Sequence, residues 1–168
     1  MAFTLAAGAQ STRTYQVELV IFKNLETPPV GEALDPEAFI ELPESEPIVS
    51  GIFQPAPSGA LILTETANRL DRASGFRPLA HDAWIQPGLA REEAPARNII
   101  VTDGGVTVRG TARVYLSRYL HVELDLIFEG SDGLRYRLAE RRRVRSNENH
   151  YFDHPAFGVI ARITRLSD

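Results

Sequence analysis

Between Val106 and Val144 apolar and polar residues alternate almost without interruption, and a period of two commits this stretch to half-buried β-strands. Val106, Val108, Ala112, Val114 and Leu116 share one face, opposite Thr107, Arg109, Thr111, Arg113 and Tyr115. After Ser117 and Arg118, the run Leu120, Val122, Leu124, Leu126 and Phe128 keeps the same parity, opposite Tyr119, His121, Glu123, Asp125 and Ile127. A turn at Glu129 to Gly133 leads to Leu134, Tyr136, Leu138 and Val144, opposite Arg135, Arg137, Ala139, Arg141, Arg143 and Arg145. The pattern predicts an antiparallel meander with an even, core-facing side and an odd, charged side. Pairing Phe128 with Leu134 across a five-residue loop sets Asp125 opposite Arg137, His121 opposite Arg141 and Tyr119 opposite Arg143. A shift of one residue would set Arg137 beside Leu126, which the hydrophobic pattern forbids.

The flanking sequence predicts the rest of the fold. Tyr15, Val17, Leu19 and Ile21 alternate with Gln16, Glu18, Val20 and Phe22 in a strand that ends at Lys23-Asn24. Residues 24–60 then hold seven prolines and seven acidic residues beyond Lys23 with no base, a composition that reads as a long, acidic, proline-rich surface loop. Leu63, Ala67 and Leu70 recur at helical spacing, so a helix capped by Ser58 is expected over about residues 60–73, stopped by Gly75. A strand is expected from Phe76 to Gln86, a polar loop broken by Pro87-Gly88 and Pro95, and a last strand from Phe157 to Leu166 after a turn at Asp153-His154-Pro155. The expected fold class is α+β: a single domain over residues 13–168, mostly antiparallel β-sheet, with one main helix packed on one face. Residues 1–12 are set apart, because Ala7-Gly8-Ala9 fits the small-residue rule for signal cleavage and reads as the tail of a secretory signal only partly present here.

Composition excludes several function classes. No apolar run approaches the roughly 18 residues of a membrane span. The net charge of −4 gives no positive field for nucleic acid. Without cysteine there is no thiolate nucleophile, zinc ribbon or iron–sulfur ligation. No nucleophile elbow, phosphate loop or dinucleotide fingerprint occurs, and no cofactor is implied. What remains is an unusual base usage, 17 Arg against one Lys. Guanidinium groups grip carboxylates and phosphates bidentately and stack on planar groups. The odd-face stripe therefore points to an anionic or carboxylate-rich partner, or to a solvated face neutralised by Asp125, Glu123 and Glu140. Among Trp84, Tyr115, Tyr119, Tyr151 and Phe152, the rings suited to stacking on a ligand, Trp84 reads as core and Tyr119 lies on the polar face.

The segment Glu148-Asn149-His150-Tyr151-Phe152-Asp153-His154 gathers two imidazoles and two carboxylates, but at no metal-ligand spacing, and no metal site is assigned. Local turn and backbone bonds by Asp153 and His154 account for it better.

The run Arg141-Arg142-Arg143-Val144-Arg145-Ser146-Asn147-Glu148-Asn149-His150-Tyr151-Phe152-Asp153-His154-Pro155-Ala156-Phe157-Gly158-Val159 resembles the signature of the CsiV family, periplasmic peptidoglycan-binding proteins of Gram-negative bacteria. Tyr15 to Phe22, Leu79 to Gln86 and Ser117 to His121 resemble the family in the same order. The resemblance implies a non-catalytic, periplasmic role in wall assembly and cell shape: binding peptidoglycan and supporting a class A penicillin-binding protein through its outer-membrane lipoprotein activator. It does not single out wall-contacting residues. From the polar face, the expected ligand-binding residues are Arg137, Arg141, Arg143, Tyr119 and His121. Asn147, Glu148, His150, Asp153, His154 and Pro155 are expected to form a structural motif that locks the last strand. Two alternatives stand beside this reading: an adaptor that docks wall-synthesis proteins through the acidic loop, and a metal-dependent hydrolase using His150, Asp153 and His154.

Overall fold

The computed structural model describes residues 13–26, 31, 33–35 and 51–166. The described strands form two antiparallel sheets. The first, in the order β2-β3-β1-β9-β8, is built from β1 (Thr14–Asn24), β2 (Gln54–Pro55), β3 (Phe76–Pro87), β8 (Asn149–Asp153) and β9 (Phe157–Arg165). The second is the meander β4 (Arg97–Asp103), β5 (Val106–Leu116), β6 (Leu120–Glu129) and β7 (Arg135–Val144). With α1 (Thr64–Arg72), this is the expected α+β class: mostly antiparallel sheet with a single helix among the described residues.

The alternation of β1 explains the layering, because both its parities are buried. Val17, Leu19 and Ile21 join Trp84, Val159 and Ile163 against Val108, Val114, Val122, Leu124 and Leu126 of the second sheet, forming one core between the sheets. Val20 and Phe22 point the other way, and with Ile160 they take Leu63, Ala67 and Leu70 of the helical segment. The helix starts later than its periodicity suggests, at Thr64, and Ser58 does not cap it. Residues 58–60 form a separate 3-10 turn. The capping acceptor comes from the sheet instead: the N–H groups of Ile62 and Leu63 donate to Glu18 of β1 at 2.9 and 2.6 Å.

Within the expected loop, residues 51–60 are tied to the body. Phe53 is buried edge-on against Trp84, and Gln54 and Pro55 pair with β3. Most of residues 24–50 and all of 1–12 lie outside the described residues.

Two further strands, beyond the short β2, were not foreseen. Arg97–Asp103 forms β4 beside β5, and Asn149–Asp153 forms β8 on β9. Both are short edge strands, and neither has the apolar alternation that marks the central ones.

The hairpin register also differs. The expected even parity holds in the buried set Leu120, Val122, Leu124, Leu126, Phe128, Tyr136, Leu138 and Val144. Phe128, however, pairs with Tyr136 rather than Leu134, so Asp125 faces Ala139, His121 faces Arg143 and Glu123 faces Arg141. The loop is still five residues long but runs over 130–134. Gly130 N–H donates to the Leu134 carbonyl, Gly133 takes φ 78°, and Asp132 accepts from Leu134 N–H at 3.0 Å. A shift of two residues preserves parity, so the hydrophobic pattern cannot see it.

Candidate functional site

The odd side of β5, β6 and β7 faces away from the core, and its cross-strand pairs line up in rows. The row Thr111, Asp125, Ala139 is short and forms a floor. On one side stands Arg113, Glu123, Arg141, and on the other Arg109, Ile127, Arg137. Short side chains flanked by long ones make a groove of about 290 Å³, lined among others by Thr111, Arg113, Glu123, Asp125, Ala139 and Arg141.

The carboxylates of this face already have partners. Arg137 grips Asp125 with two bonds, Nε to Oδ1 at 2.8 Å and Nη2 to Oδ2 at 2.7 Å. That hydrogen bond holds the Arg137 pKa above its ordinary value, against partial burial. Asp125 and Arg137 are thus neighbours as expected, but diagonally. From the loop before β4, Arg91 reaches Glu123 at 3.3 and 3.0 Å, which raises its pKa in turn. Among the described residues Arg113 donates only to the Arg91 carbonyl, at 3.4 Å. Arg141 makes no hydrogen bond or ion pair among the described residues, and the Thr111 hydroxyl, on a residue 5% exposed, makes none either. The face therefore carries guanidinium groups in excess of its carboxylates: Arg113 and Arg141 beside the groove, and Arg109 and Arg143 beyond it, have no carboxylate partner among the described residues.

Aromatic rings extend the face beyond this groove. Tyr119 follows β5 in the β5–β6 connection rather than opposing Arg143 in the ladder, yet Arg143 lies 4.2 Å above its ring, and Arg118 lies 5.5 Å from it. Tyr119 is 43% exposed. His121 stacks on Tyr115 at 4.8 Å with 6° between the planes, and Arg91 covers Tyr115 at 5.9 Å. His121 Nδ1 lies 2.9 Å from the Tyr119 carbonyl, which can only accept, so the ring donates to it from Nδ1. All five expected ligand-binding residues fall on this one face. Arg141 borders the groove; Arg143, Tyr119 and His121 form the aromatic patch beside it; Arg137 is engaged with Asp125.

The closing signature lies elsewhere, at the β7–β8 and β8–β9 turns. Asn147 takes φ 66°, the left-handed region that asparagine tolerates, and its N–H donates to the Ile163 carbonyl. Glu148 lies 3.7 Å from Arg145, and His150 Nε2 lies 3.1 Å from both the N and the O of Arg145. His154 accepts the Ala156 N–H at 3.1 Å, with its ring against Tyr136 and Phe157. Asn24 of β1 donates to the His154 and Pro155 carbonyls at 2.9 and 3.0 Å, fastening the last turn to the first strand. Asp153 borders a second concavity, of about 690 Å³, lined by Phe22, Leu70, Phe76, Tyr151 and Ile160. No group of three or more metal-ligating side chains occurs among the described residues. Trp84 is core: it is 1% exposed and donates to Gln86, which donates to the Val114 carbonyl.

The family model described as "Peptidoglycan-binding protein, CsiV" matches residues 47–166, well over half of the chain. The chain belongs to the CsiV family. The matched residues take in the meander, the aromatic patch and the signature turns, while β1 precedes them. No curated protein and no solved structure matches the chain. Among the described residues of this CsiV-family chain, no helix is long and apolar enough to cross a membrane.

Sequence reasoning missed Arg91, which comes from a proline-broken loop with no periodic signal. It also passed over Arg113, Thr111 and Ala139. The first two were legible as odd-face neighbours, and Ala139 stands out as the one short residue in an arginine stripe.

Proposed function

We propose that this protein is a non-catalytic, periplasmic binding protein that holds peptidoglycan on the outer face of its four-stranded sheet. The observation that carries the reading is the charge surplus there: Arg141 and Arg113 lack carboxylate partners, beside the exposed Tyr119 ring under Arg143. Wall peptides supply carboxylates for bidentate guanidinium contacts, and sugar rings supply flat faces for Tyr119. Family membership supports the same ligand. In this role the protein supports a class A penicillin-binding protein and its outer-membrane lipoprotein activator, and through them cell-wall growth and cell shape.

Co-sedimentation with protein-free sacculi tests the reading. Wild type is retained, retention weakens between low and moderate salt, and the Arg141→Ala, Arg143→Ala double variant stays in the supernatant with an unchanged melting temperature. Equal retention of the double variant eliminates this face. Loss of retention with no salt dependence removes the charge-assisted mechanism.

A further inference from the structure

The groove over Thr111, Asp125 and Ala139 has the dimensions and charge of a subsite for a peptide end rather than for a sugar. We propose that it takes the free carboxylate of a wall stem peptide, an inference that rests on the wall-binding reading above. Arg113 and Arg141 stand on either side of Glu123 in one row, two strands apart, so their Cα atoms lie roughly 10 Å from each other at the usual strand spacing. Two long side chains on that spacing can close on one carboxylate above the floor, and neither is committed to a protein carboxylate. The Thr111 hydroxyl on the floor, which makes no hydrogen bond among the described residues, adds a neutral donor or acceptor.

The remaining groups suit the other half of a zwitterion. Asp125 and Glu123 each accept from a single arginine, and a carboxylate has further lone pairs for a ligand amine. The ligand class is therefore a short peptide carrying both a free carboxylate and a free amine, as a diamino-acid stem does. A glycan strand fits less well. Its lactyl carboxyl is consumed in the amide to the peptide, leaving hydroxyls and acetamides that would not discharge two free guanidinium groups. The space of about 290 Å³ lies just under the ~300–1,000 Å³ common for ligand sites, enough for a residue or two.

Ala139 makes the space. It is exposed on a strand, directly opposite Asp125, and a larger side chain there fills the floor without touching the core. Arg141→Lys is the complementary change, since it keeps the charge and removes the planar fork.

The test titrates the full chain, observed by amide chemical shifts, with three probes. These are the tripeptide L-Ala-γ-D-Glu-meso-diaminopimelate, the same peptide with its carboxylates amidated, and a neutral chitin oligosaccharide. The expected result is tripeptide binding at least tenfold tighter than the amide, with shifts at Thr111, Asp125 and Ala139, and at least a tenfold loss in both Ala139→Leu and Arg141→Lys. Melting curves matching wild type show that both variants are folded. Equal affinity for acid and amide, or wild-type affinity in a folded Ala139→Leu, overturns the subsite. Sacculi sedimented in parallel separate the two claims. Retained sacculi with no carboxylate preference remove the subsite and leave wall binding standing, whereas loss of both removes the two together.

Discussion

On the helix side of the five-stranded sheet, Glu18 is 1% exposed and wholly engaged: it accepts from the Ile62 and Leu63 N–H groups and lies 2.6 Å from His81 Nε2. On the outer face of the four-stranded sheet, Glu123 and Asp125 are engaged by arginines reaching over open ground, while Arg109, Arg113, Arg141 and Arg143 have no carboxylate partner among the described residues. The two faces use the same chemistry for different ends. Where a helix covers the sheet, one acid is matched donor for donor and fixes where that helix begins. Where no described element covers it, cations exceed anions, and the surplus is available to a ligand. A charge that is buried and fully paired belongs to the fold, and one that is exposed and left over belongs to function.

Breaking the covered face should have the largest effect. Glu18→Ala strands two helix-start N–H groups and the His81 ring, and a loss of about 3–5 kcal/mol in denaturant unfolding is expected, as for other broken buried pairs. Protein that remains folded should still bind sacculi. Next comes Gly158, where any side chain would overlap the Phe22 ring on that same covered face. Gly158→Ala should cost about 1–3 kcal/mol in the same assay, with binding again unchanged. The open face should respond the other way. Arg113→Ala with Arg141→Ala should lower sacculus affinity at least tenfold, roughly 1.4 kcal/mol, while the unfolding midpoint stays within the scatter of surface substitutions.

Arg137→Ala should lower stability by at most about 1 kcal/mol, because the Asp125 pair is partly solvated. Its pH dependence sharpens the contrast. A base whose pKa is raised on folding stabilises fully below its unfolded value and loses that contribution only above it. For Arg137 that window lies in strong alkali, so the difference between wild type and Arg137→Ala should be constant from pH 5 to 9. A difference that grows or fades across that range would show that the pair is not the one described.

How much of this was legible beforehand follows from the same contrast. The meander, its parity and the arginine side were plain, because residues with one buried face carry a period of two. Register was not, since pairing Phe128 with Tyr136 or with Leu134 buries the same side chains. The cross-strand neighbours of Arg141 and Arg143 therefore came out wrong, even though their shared face came out right. Glu18 gave no hint of burial, because its partners lie 44 to 63 residues away. Edge strands β4 and β8 were invisible for want of a buried pattern. The signature from Arg141 to Val159 was recognisable as a whole, while its parts, such as the left-handed Asn147 and the turn held by Asn24, acquire meaning only in three dimensions.

The most direct test of the account is arginine-selective labelling with phenylglyoxal, read residue by residue by mass spectrometry, with and without sacculi. Arg113, Arg141 and Arg143 lie on the open face, and Arg69 and Arg72 on α1 serve as internal controls. Sacculi should slow labelling of the first three and leave Arg69 and Arg72 unaffected. Protection of the helix arginines with the sheet arginines still reactive would contradict this, and would move the wall to the opposite side of the molecule.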